Sequence, residues 1–141
     1  LDGSKHRFTP ENVVDIQRII GSDIMMMLDV CPPGDANKKK WIEALKLTTA
    51  WAKRAKKHFD KTKPIYGHNQ IISPIVQGGT NLNLRKQSAL ELMELNCDMH
   101  AIGGLAVGEP KEEMLTVVNY MDSILPKEKP RYLMGVGTPE I

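Results

Sequence analysis

Ala101-Ile-Gly-Gly-Leu-Ala-Val-Gly-Glu109 reads as the end of a strand running into a loop of bare backbone, after which Pro110 opens a helix. Gly103 and Gly104 carry no Cβ, so their N–H groups can approach a flat ligand closely and can take positive φ. A glycine pair in this place also makes an ordinary tight turn. Its weight comes from three other apolar runs that stop in a similar way. Ile24 to Leu28 closes at Asp29 ahead of Cys31-Pro-Pro33, Ile71 to Val76 closes at Gln77-Gly-Gly79, and Tyr132 to Met134 closes at Gly135-Val-Gly137. Ile24 to Leu28 is short and unalternating, as expected of a strand covered on both faces.

Helical patterns separate the runs. Thr9 before Pro10 is an N-cap with proline at the first helical position, and Val13, Ile16 and Ile20 recur at helical spacing until Gly21. From about Asp35 to His58, one stripe holds Trp41, Leu45, Thr48, Ala52, Ala55 and Phe59, with lysines opposite. Leu84 to Leu95 is a third helix. A fourth follows Pro110, with Met114, Val117, Val118, Met121 and Leu125 on one side and Glu112 and Glu113 at its positive dipole end. Pro74 removes a ladder donor, so it is expected near a strand start or at an irregular edge.

The order is helix, then strand and helix three times, then strand. Such alternation makes an α/β fold with a parallel sheet, either doubly wound or part of a (β/α)₈ barrel. A barrel takes about 250 residues. The 141 residues here are one domain's worth, and four strands are the parallel-sheet portion, about half, of a barrel. With the remainder absent, both outer strand edges are expected to lie open. Hydrophobic residues at 41% and charged residues at 26% exclude a disordered or membrane-spanning class. The chain starts at Leu1 without methionine or leader and reads as an excised piece. Cys31 and Cys97 have no Cys-x-x-Cys spacing, so neither a disulfide framework nor a zinc site is expected, and the cytoplasm is the expected compartment.

In both architectures the carboxyl ends of the strands line the ligand site. Asp29 accepts hydrogen bonds, Gln77 donates through its amide, and the Gly103–Gly104 backbone offers N–H groups. Together they complement the Watson–Crick edge of guanine, with Tyr132 and Met134 as faces for the ring. Each also has a purely structural use. Asp29 can cap the turn that follows, Gln77 can bond local backbone, and Tyr132 and Met134 can face the core, as Met25, Met26 and Met27 do. His6, His58, His68 and His100 show neither ligand spacing nor a paired acid. Between Lys38 and Lys63 stand ten basic residues against only Glu43 and Asp60, a stripe that serves either as a solvated helix face or as a phosphate contact.

The chain resembles bacterial tRNA-guanine transglycosylases, also called queuine tRNA-ribosyltransferases, over essentially its whole length. The matching segments are Leu1-Asp-Gly-Ser-Lys-His6, Ser22-Asp-Ile-Met25, Asp29 to Cys31, Val76-Gln-Gly78, residues 101–114 and residues 129–139. The resemblance implies a central segment, residues 1–141, of one (β/α)₈ catalytic domain truncated at both ends. It implies an enzyme that exchanges guanine at the tRNA wobble position for 7-aminomethyl-7-deazaguanine in queuosine biosynthesis, with tRNA as partner and a homodimer as the complete form. Asp29 and Gln77 would bind the base edge, Gly103 and Gly104 would present backbone, and Gly104 would donate to its carbonyl oxygen. The Leu105 carbonyl would meet the aminomethyl group, and Tyr132 and Met134 would flank the ring. Val107 and Cys31 would bear on specificity, Val107 marking the bacterial type. In the family one catalytic aspartate precedes the segment, while the nucleophilic aspartate and a Cys₃His zinc site follow it. This chain is therefore expected to hold no catalytic residue and no zinc ligand, and to be inert alone. Val30, Pro33-Gly34-Asp35 and His100 depart from the usual family residues. A non-catalytic accessory subunit of the same fold is the alternative. An unrelated parallel-sheet enzyme for a phosphorylated small molecule rests only on fold analogy.

Overall fold

The structure, a computed structural model, describes residues 2–137. Leu1, in the first matching segment, and residues 138–141, of which 138–139 end the last, lie outside the described residues.

Four helices and a parallel sheet alternate along the chain. Helix α1 (Pro10–Ile20) begins at Thr9, whose hydroxyl accepts from the Asn12 N–H while the Asn12 side chain accepts from the Thr9 N–H. It ends at Gly21 in the left-handed conformation. Strand β1 (Ile24–Met26) leads to α2 (Lys38–Lys61), capped by Asn37. Strands β2 (Ile71–Ser73) and β3 (Ile75–Val76) precede α3 (Leu82–Met93), capped by Asn81. Strand β4 (His100–Ile102), helix α4 (Lys111–Ile124) and strand β5 (Arg131–Leu133) complete the order.

Every strand pair is parallel. β1 pairs with β2, Met25 opposite Ile72, while β3 pairs with β4 and β4 with β5, Ala101 lying opposite both Ile75 and Tyr132. Pro74 sits between β2 and β3. It immediately precedes the start of β3, as its missing N–H predicts, and is fully buried there. The exchange of neighbours explains it. On one side the ladder with β1 ends as Met27 donates to the Ser73 carbonyl, and on the other the Pro74 carbonyl accepts from Ala101, so no donor is required at Pro74 itself.

The core lies between sheet and helices. Met25, Ile72, Val76 and Ile102 pack against Ala52 and Ala55 of α2, Ala89 and Leu92 of α3, and Met114, Val117 and Met121 of α4. The α1 stripe is a correction. Its buried side is Pro10, Val14 and Arg18, whereas Ile16, Ile19 and Ile20 are exposed, Ile20 by 69%. Arg18 goes inside because its guanidinium donates to the Phe59 and Thr62 carbonyls, the Thr62 hydroxyl and the Gln70 amide oxygen, and stacks 4.1 Å from the Phe59 ring centroid.

The expectation of two open edges is also corrected. Among the described residues nothing pairs with the outer edge of β5: Met134 donates inward to Ile102 and His100 to Pro130, so Arg131 and Leu133 turn their peptide groups outward. At β1 the Gln17 side chain occupies the outer edge, accepting from the Met26 N–H at 2.8 Å and donating to the Met26 carbonyl at 2.9 Å. No helix among the described residues is long and apolar enough to cross a membrane.

Candidate functional site

The carboxyl ends of β1, β3 and β4 bring the expected residues together. Gln77 follows β3 with its side chain fully buried, and its Nε2 donates to Asp29 Oδ2 at 2.6 Å, across 48 residues of sequence. Its backbone N–H is held by the Ser88 hydroxyl of α3. Its amide oxygen is buried without a hydrogen-bond partner and lies where a Cβ on Gly104 would stand. A Cβ on Gly103 would meet Ile75 Cγ2 at 2.6 Å and Gln77 Nε2 at 2.9 Å. Side chains are therefore excluded at both positions by the close approach of Gln77, and Gly104 in addition has φ +64°.

Met134 Sδ lies 3.5 Å from the same Gly103 position, so it joins the cluster. Tyr132 is on exposed strand β5, opposite Ala101. Leu105 turns its side chain into the core. Beyond it, Ala106 has φ +57°, and the Glu109 carboxylate accepts from the N–H groups of Ala106 and Val107. Burial opposes the charge on Glu109, but these N–H groups outweigh it and hold the carboxyl below its ordinary range. The Val107 carbonyl accepts from the Gly34 N–H, tying the loop after β1 to the loop after β4. Cys31 lies on that loop, exposed; partial desolvation first and the Asp29 charge second push its thiol up.

Asp29 is half-buried. Burial raises its carboxyl above the ordinary aspartate range, and the hydrogen bond from Gln77 only partly reverses the shift. The Gly103 N–H, expected to face a ligand, is instead taken by the Val76 carbonyl at 3.1 Å, because it closes the β3–β4 ladder, and the Gly104 N–H lies beside the Cys31 thiol. A carboxylate with spare acceptor capacity, an amide that donates and the Gly104 N–H form a surface for a planar ligand with donors beside an acceptor.

Arg85 was not legible as part of this site. Its guanidinium, fully buried in the first turn of α3, donates from Nε to the Gly79 carbonyl, from Nη1 to those of Val76 and Gly103, and from Nη2 to that of Gly104. Burial lowers its pKa to about 10, so it remains charged at neutral pH.

The family profile for queuine tRNA-ribosyltransferase matches residues 1–141. The chain belongs to the queuine tRNA-ribosyltransferase family. It is 47% identical over 140 residues to a queuine tRNA-ribosyltransferase of Caldanaerobacter subterraneus subsp. tengcongensis, covering 99% of this chain and 36% of that protein. The likeness to the protein of the same name from Lawsonia intracellularis is 50% over 139 residues, with 99% of this chain and 36% of the relative covered. That from Natranaerobius thermophilus is 49% identical over 140 residues, with the same coverage. The chain thus spans about a third of the length of the queuine tRNA-ribosyltransferases it matches.

The remaining candidates fall outside this cluster. His100 is buried at the amino end of β4 with neither ring nitrogen hydrogen-bonded, and burial with nearby Lys129 lowers its pKa. Two histidines do have acids, contrary to the sequence reading: His58 Nε2 is 2.7 Å from Asp15 Oδ1 and His68 Nε2 is 3.8 Å from Asp23 Oδ1. The basic stripe is divided. Arg54 is paired with Glu11 and Lys56 with Asp60, while Lys38, Lys39 and Lys40 are exposed at the end of α2 that adjoins the site, where Trp41 lies against Gly79. Among the described residues, no three His, Cys, Asp or Glu side chains converge to hold a metal.

Proposed function

We propose that this chain is the base-recognition segment of a (β/α)₈ enzyme that exchanges guanine at the tRNA wobble position for 7-aminomethyl-7-deazaguanine. The observation that carries the reading is the Asp29–Gln77 hydrogen bond beside Gly104, because these three groups supply the complement of a guanine edge. Asp29 accepts from N1–H and the 2-amino group. Gln77 Nε2, released from Asp29 as the base's own donors replace it, and the Gly104 N–H donate to the carbonyl oxygen. The Leu105 carbonyl meets the aminomethyl group, Tyr132 and Met134 flank the ring, and Val107 with Cys31 shapes the pocket for a small substituent.

The site residues of this chain bind and orient; none is placed to attack the ribose. The nucleophile, the second catalytic aspartate and the zinc ligands belong to sequence beyond this third of the protein, and the residues described here do not fit a metal. The complete protein acts in the cytoplasm as a homodimer on tRNA.

The test is incorporation of labelled guanine into tRNA by the full-length parent. Incorporation that depends on Asp29 and Gln77 is the expected result. Guanine binding without exchange would make the parent a non-catalytic accessory subunit, and absence of both would overturn the reading.

A further inference from the structure

We propose that Arg85 is a positioning residue that aims the Gly104 N–H at the carbonyl oxygen of the bound base. This rests on the base-recognition reading above. Arg85 is 0% exposed, yet among the described residues no carboxylate lies within ion-pair distance of it. Its donors go to four backbone carbonyls from two strand-end loops, at 2.6 to 2.9 Å.

In a trans peptide the C=O and the following N–H point in opposite directions. The 2.6 Å bond from Nη1 to the Gly103 carbonyl therefore turns the Gly104 N–H away from Arg85. The bond from Nη2 to the Gly104 carbonyl fixes the next peptide in the same manner. Glycine has little conformational preference of its own at φ +64°, so the orientation of these two peptides is set by what grips their oxygens. A planar guanidinium grips both at once, whereas an ammonium cannot hold two carbonyls in a fixed fork. The buried positive charge also polarises each gripped peptide, which makes its N–H a stronger donor.

The experiment compares guanine with 6-thioguanine, which keeps N1–H and the 2-amino group but offers sulfur, a weak acceptor, in place of the oxygen. Dissociation constants are measured for the full-length parent and for Arg85→Lys, with thermal unfolding in parallel. In the wild type the Gln77 amide and the Gly104 N–H both serve the oxygen, so guanine is expected to be preferred by about a hundredfold, two hydrogen bonds' worth. In Arg85→Lys, with the Gln77 bond remaining, that preference should fall to about tenfold, while 6-thioguanine affinity stays within about threefold of wild type, under 1 kcal/mol. An unchanged preference, or equal weakening of both bases, overturns the inference alone. A wild type that binds neither base overturns the base-site reading and the inference with it. Should Arg85→Lys fail to fold, isotope-labelled arginine NMR of the wild type decides: guanine should shift the Arg85 Nη1 protons and 6-thioguanine should not. Equal shifts, or none with guanine, refute it.

Discussion

Gly104→Ala in the full-length parent tests the contact on which the proposed base recognition rests. Gly104 has φ +64° and Gly67 has φ +75°, so alanine at either position incurs the left-handed penalty of an L-residue, about 1–2 kcal/mol. There the likeness ends. Gly67 has nothing within 4 Å of its added Cβ, whereas at Gly104 the Cβ would fall on the Gln77 amide oxygen. Displacing a buried, well-packed amide adds about 1–3 kcal/mol. Denaturant unfolding should therefore show Gly104→Ala losing roughly 2–5 kcal/mol against roughly 1–2 for Gly67→Ala, both tolerable for a domain stable by about 5–15. Calorimetric titration with guanine should show Gly67→Ala unchanged and Gly104→Ala weakened about tenfold, as Gln77 is pushed off its position. Equal stability losses and unaltered affinity would refute the wedge between Gly104 and Gln77.

Asp29→Asn should weaken guanine by about 1–3 kcal/mol, roughly 5- to 150-fold, because the amide presents a donor where the base also donates; Gln77→Ala should lose less, since the Gly104 N–H still serves the carbonyl oxygen. The folded pKa of Asp29 is raised by burial, so the proton is bound more tightly in the folded state. Its charge then opposes folding above that pKa, and Asp29→Asn should unfold at an equal or higher temperature than wild type at neutral pH. For the same reason, wild-type base affinity should fall with decreasing pH at a higher pH than an ordinary aspartate would give, as a titration series will show. Neutralising Lys38, Lys39 and Lys40 should reduce the log–log salt slope of tRNA binding by roughly 0.7–0.9 per contact. A triple change at Lys53, Arg54 and Lys56 should alter it less, two of these being paired already; equal slopes would assign the whole stripe to solvent. The isolated chain should self-associate through β5, and Leu133→Pro should return it to monomer in size-exclusion chromatography, because Leu133 faces its peptide group outward.

What the sequence made legible was the punctuation. Glycine and proline at 21, 78, 79, 103, 104 and 110 mark where strands stop and helices start, because backbone freedom and missing donors are local properties. Asp29, Gln77 and Gly104 could be grouped since parallel strands share a carboxyl end. The face of α1 was misassigned because Val13, Ile16 and Ile20 fit a helical stripe as well as the buried side does, and Arg18 counts as polar until its partners at Phe59, Thr62 and Gln70 are in view. Arg85 escaped for the same reason: an arginine is assumed solvated, and carbonyls bear no mark in a sequence. The acid of His58 lies 43 residues away, and the change of partner strand at Pro74 leaves no local mark. Pairing is a property of the folded sheet, not of any one segment.

The Gln17 amide on β1 reaches further than one pair of hydrogen bonds. A side chain carrying one donor and one acceptor at the spacing of a peptide stands in for a residue of a missing neighbour, so the outward-facing groups of Met26 are spoken for before any other segment arrives. Growth of the sheet is thereby made directional: new backbone can be annealed beside Leu133 but not, without evicting Gln17, beside Met26.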